Sequence, residues 1–140
     1  MSVVTMANNI KELFPDYIVL FKIGTFYEVY NKDAIIISYL FKYKLKNLTF
    51  SDKSCGFPIV SINKVRYLLE NKNINYIMLD KSHNYEEEDK INFKKKNKYN
   101  EAYDVACEYL DKVNRIEKIK NYLFVHSDKI INVEKVLYER

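Results

Sequence analysis

Glycine and proline are scarce in this chain, two of each in 140 residues, and tryptophan is absent. With about half the residues apolar and many of them aromatic, that is a globular composition and excludes a disordered chain. Nor is there a glycine-rich loop ending in Gly-Lys-Ser/Thr, so no ATPase of the phosphate-loop type is expected. The two cysteines, Cys55 and Cys107, lie far apart in a chain long enough to bury a core without staples, which argues against a disulfide framework and for buried thiols. His83 and His126 have no partner at metal-ligand spacing, so neither a metal site, a catalytic triad nor a cofactor is expected. No apolar run approaches the roughly 18–20 residues that cross a bilayer. The opening MSVVTMANNIKELF lacks a basic region followed by an apolar core. A single-domain, soluble, unexported protein without a membrane partner is expected, and a cytoplasmic one.

What is abundant is Lys, Asn, Ile and Tyr. That usage reads as the codon bias of an AT-rich, bacterial genome, so the net charge of +4 is weak evidence for a polyanion partner. Its distribution says more. Residues 1–82 carry 11 Lys and Arg against 7 Asp and Glu, whereas residues 83–140 carry 12 against 12, so the whole excess lies in the first part.

YIVLFKIG, Tyr17 to Gly24, is β-branched and aromatic, and Phe14-Pro15-Asp16 turns into it. Gly24-Thr25 allows a tight reversal into FYEVY, which predicts a hairpin. Asn31-Lys32-Asp33 predicts a helix cap before a short, buried helix, DAIIISYLFKY. KLKNLTF, Lys44 to Phe50, alternates as a strand, SDKS as a turn, and CGFPI as a constrained lead into a helix over 61–71 with Ile62, Val65, Leu68 and Leu69 as its apolar stripe. INYIMLD, Ile74 to Asp80, predicts a central strand, YEEED a solvated turn, and KINFKK an edge strand. From Tyr99 the period becomes 3.6, with Tyr99, Ala102, Tyr103, Ala106, Cys107, Leu110 and Val113 on one face. Asn114 with Glu117 predicts the cap of a second helix, and Ser127 that of a third carrying Ile130, Val133 and Leu137.

The stretch GTFYEVY raises a question of direction. Side chains alternate along a strand, so Phe26 and Glu28 share one face, and Tyr27 and Val29 the other. If the second pair faces the core, a large aromatic and a carboxylate face outward together. On three letters alone this is an ordinary edge-strand arrangement.

In context it is more. FPDYIVLFKIGTFYEVYNKDA (Phe14 to Ala34), CGFP (Cys55 to Pro58) and the Tyr67-Leu68-Leu69 helix followed by a strand to Asp80 stand in an order that resembles the N-terminal mismatch-recognition domain of MutS-family DNA repair proteins. The resemblance covers roughly residues 10–95. Thr25 stands where that family usually has Asp, and Val60 near the place of a family His. The resemblance implies an α/β (α+β) fold, a mixed β-sheet wrapped by helices. Residues 1–96 would form the sheet domain and 97–140 a helical extension packed on it.

It also implies a role for the shared face. In that family the Phe of the Phe-x-Glu motif stacks on a mispaired base and the Glu hydrogen-bonds to it, which carries over to Phe26 and Glu28. Lys22, Lys42, Lys44 and Lys46 would then supply phosphate contacts, the plainer alternative being that they are solvated lysines of a lysine-rich chain. The partner would be double-stranded DNA, mismatched or bent. The chain is too short to add that family's clamp around DNA.

The competing reading is a protein-interaction or regulatory module that keeps the fold without DNA binding, with a protein partner in DNA repair or a mobile element and Phe26 in the contact patch. An enzyme is the weakest reading. Pro15-Asp16 with Glu70-Asn71-Lys72 has the composition of a metal-dependent nuclease site, but Glu70 falls at a helix end, and such triplets arise easily in lysine-rich sequence.

Overall fold

The computed structural model describes residues 2–126. Its elements in chain order are α1 (Val3–Leu13), β1 (Ile18–Ile23), β2 (Phe26–Tyr30), α2 (Lys32–Phe41), β3 (Lys46–Asn47), β4 (Lys53–Pro58), α3 (Ile62–Asn71), β5 (Tyr76–Asp80), β6 (Glu86–Ile91) and α4 (Tyr99–Val125). The six strands form one sheet in the order β3-β4-β2-β1-β5-β6. β1 and β5 pair in parallel and the other neighbours antiparallel, so the sheet is mixed, as expected.

β1 explains why its sequence is apolar without interruption. Ile18 and Leu20 enter a core built with α2, α3 and the first turns of α4, while Val19 and Phe21 enter a second core under α1. A strand covered on both faces needs apolar residues at every position. β5 is buried throughout for the same reason. Gly24, at φ +62°, closes the β1–β2 hairpin, with Phe21 opposite Glu28 and Ile23 opposite Phe26.

Where the chain enters α2, the cap differs from expectation. Asn31 is the N-cap but makes no side-chain capping bond. Instead its Oδ1 accepts from the Lys53 amide at 2.9 Å and its Nδ2 donates to Asp52, which ties the start of α2 to the start of β4. Asp33 in the first turn of α2 is buried and fully partnered. It accepts from Lys11 Nζ at 2.7 Å, Tyr99 Oη at 2.6 Å and the Val19 amide at 3.0 Å. One carboxylate thereby joins α1, β1, α2 and α4.

Four other expectations need correction. KLKNLTF holds only the two-residue β3, because Thr49 and Asp52 hydrogen-bond one another in a tight turn that ends the strand. CGFP is no lead-in but the body of β4. The Glu86–Glu88 run is not a turn. It opens β6, which ends at Ile91, and Lys94–Lys96 form a 3₁₀ turn. An edge strand held by the β5 ladder tolerates exposed acids at successive positions. Finally, α4 continues past Asn114 to Val125 without a break. The Ser127 helix lies outside the described residues.

The chain divides into two compact units, Met1–Cys107 and Glu108–Arg140. In the first, Tyr99 and Ala106 are buried and Ala102 and Tyr103 pack on the larger core. In the second, residues 108–125 are helical, with Ile116, Ile119 and Tyr122 exposed. No helix among the described residues is long and apolar enough to cross a membrane.

Candidate nucleic-acid interface

The hairpin turns its residues as strand alternation requires. Tyr27 and Val29 are buried, at 3% and 0% exposure, whereas Phe26 is 46% exposed and Glu28 half-buried. Tyr27 stacks on Phe57, which fixes the inward set and with it the outward one. The outward set lies on the sheet face that α1 covers. That cover reaches Val19, Phe21, Ile77 and Leu79 of β1 and β5 but leaves Phe26, Pro58 and Lys46 exposed, on β2, β4 and β3.

Register places the rest. Phe26 lies opposite Pro58, Glu28 opposite Gly56, and Tyr30 opposite Ser54, which in turn faces Lys46. Directly opposed residues share a face, so Lys46 belongs to the same surface as Phe26 and Glu28. Burial raises the Glu28 carboxyl above its ordinary range, and the Lys46 charge opposes the shift. Beyond the tip the chain continues through a 3₁₀ turn, Ile59–Ser61, held by the Ile59 amide donating to the Thr25 carbonyl at 3.0 Å. Val60 there is 88% exposed.

The other three lysines lie elsewhere. Lys22 pairs with Tyr27 in register and so points to the opposite face, where its Nζ stands 3.7 Å from Glu88 Oε2. Lys42 caps the C-terminus of α2 in left-handed conformation with its ammonium over the Tyr39 ring, and Lys44 is exposed in the segment that follows. Glu70 is exposed at the end of α3, and no group of three or more His, Cys, Asp or Glu among the described residues could hold a metal ion.

Gly56 is the member of this surface that motif reading passed over. A Cβ there would meet Glu28 Oε1 at 2.8 Å, Cδ at 3.0 Å and Oε2 at 3.2 Å. A glycine inside a strand signals close approach of another group, and here that group is the carboxylate across the ladder.

A mixed sheet whose hairpin presents an aromatic and a carboxylate on one open face, with helices on both sides, defines an α/β domain of the kind the sequence resembles. The chain belongs to the MutS domain I family, whose model matches residues 5–99. Among individual proteins it is similar to the DNA mismatch repair protein MutS of Chlorobium chlorochromatii (strain CaD3), at 41% identity over 50 residues. That stretch is 36% of this chain and 6% of that protein, so the similarity reaches only a small part of the relative's length.

Proposed function

We propose that this domain binds duplex DNA at mispaired or distorted steps without catalysis, Phe26 acting as the wedge and Glu28 contacting the displaced base. The observation that supports it is the placement of both side chains on one open face, beside Lys46. An aromatic enters a step at least cost where mispairing has already weakened stacking. A carboxylate is repelled by phosphates, so its presence beside the wedge favours base contact over backbone contact. Lys46 and Lys44 are the best placed of the four lysines for phosphate contacts. Lys42 is held over Tyr39 and Lys22 is opposed by Glu88, so both contribute less.

Magnitudes limit the affinity. Stacking on one aromatic contributes roughly 1–3 kcal/mol, and opening the step costs a few kcal/mol. The two nearly cancel, so affinity is expected in the range of about 10⁻⁴–10⁻⁶ M typical of backbone-dominated complexes. The test is a duplex with a fluorescent base analogue beside a mismatch. Wild type should brighten it on binding as the step unstacks, and Phe26→Ala should bind without brightening.

The interaction-module reading is favoured by one observation: Phe50, in the β3–β4 turn, is an aromatic wholly exposed to solvent. If wild type binds neither matched nor mismatched duplex at low salt, that reading replaces the first.

A further inference from the structure

We infer that Gly56 is the positioning residue for Glu28: its missing side chain is the seat in which the carboxylate lies beside Phe26. The functional consequence rests on the DNA reading above, but the placement does not.

Two observations carry it. Gly24 is the glycine whose backbone demands glycine, at φ +62°, with nothing within 4 Å of a Cβ. Gly56 is the reverse. Its backbone lies outside the left-handed region, so an alanine would be unstrained, yet the three nearest atoms to a Cβ all belong to the Glu28 carboxyl. The demand for glycine here is therefore made by one side chain and not by the fold. A clash with the far end of a flexible side chain is relieved by moving that end, so Gly56→Ala should keep the sheet and displace the carboxylate. On the face that Glu28 occupies, the charged and titratable groups are Lys46 from β3 and Tyr30 from its own strand, while Cys55, opposite Val29, lies on the other face and feels the carboxylate through the sheet. Cys55 and Tyr30 both ionise only at about 12 and stay neutral while a glutamate titrates. The local field is thus set by burial against Lys46.

The experiment has a structural arm and a DNA arm. In the free protein, a carboxyl-detected NMR titration should find the Glu28 midpoint above the ordinary glutamate range in wild type and returned toward it in Gly56→Ala. An unchanged midpoint would overturn the inference. In DNA titrations, Gly56→Ala should reduce the mismatched-to-matched binding ratio toward one, as Glu28→Ala does, and the double variant should equal Glu28→Ala alone. A Gly56→Ala that keeps its preference, or a double variant that loses more than either single one, would refute the positioning role. Should Gly56→Ala fail to fold, the double variant must fold, since it removes the clash; its failure would also overturn the inference. If wild type binds no duplex, the DNA reading fails by itself and the NMR arm alone decides the placement.

Discussion

For individual residues, burial has consequences that alkali should expose. The Cys55 thiol is pushed up to about 12 by burial, and the Tyr27 and Tyr30 phenols to about 12, burial again being the first cause. Tyr99, buried against Asp33, is raised further. The unfolded chain, with ordinary values of 9.0 for the thiol and 10.0 for the phenols, loses these protons first. Between about pH 9 and pH 12 the folded state therefore holds more protons, and stability must fall as pH rises. Urea midpoints at pH 8, 10 and 11 should decrease in that order. Native protein at pH 8 should likewise leave Cys55 unalkylated by mass spectrometry until denaturant is added, because only a thiolate reacts. Single residues were unevenly legible in the sequence. That Phe26 and Glu28 share a face follows from alternation alone, but the Glu28–Gly56 approach depends on which strand lies beside β2, and a single sequence does not state its pairing.

Among the elements, the β1–β2 hairpin was legible because apolar run, Gly24 and alternation agree. Gly24→Ala should cost about 1–2 kcal/mol in denaturant unfolding, since its positive φ strains any side chain while the site itself is roomy. A neutral outcome would mean that the turn relaxes freely. Other elements were hidden for identifiable reasons. β6 begins with Glu86, Glu87 and Glu88, so no apolar alternation marks it; the strand is made by hydrogen bonding to β5, a long-range cause. β4 contains Gly56 and ends at Pro58, both of which read locally as breakers. α1 has a single buried residue, Ala7, among asparagines, so no buried apolar stripe marks it in the sequence. In α4, Asn114 with Glu117 imitates a cap, but the residues on both sides continue the helix.

Across the molecule, Asp33 joins four separate elements through one carboxylate. Replacing it with Ala leaves Lys11 with a part-buried ammonium lacking its counter-charge and the buried Tyr99 with an unmatched hydroxyl. Breaking a buried pair from one side costs about 3–5 kcal/mol. Asp33→Ala should show that loss in urea unfolding, whereas Glu108→Ala should show almost none, because its Lys112 partner at 3.7 Å is well exposed. The fold class and mixed sheet were legible through the family resemblance, and the helix that begins at Tyr99 through its 3.6-residue period.

The function proposed for this surface turns on Phe26 reading a weakened base step. A fluorescence titration of wild type and Phe26→Ala against matched and mismatched duplex at two salt concentrations decides it. Wild type should favour the mismatched duplex. Lys44→Ala with Lys46→Ala should weaken both duplexes alike and flatten the salt slope by about one unit for each phosphate no longer neutralised. Phe26→Ala should instead bind both duplexes equally with an unchanged slope, because stacking releases no counterions. A Phe26→Ala protein that retains the full preference, or a wild type that shows none, would mean that Phe26 does not read the step.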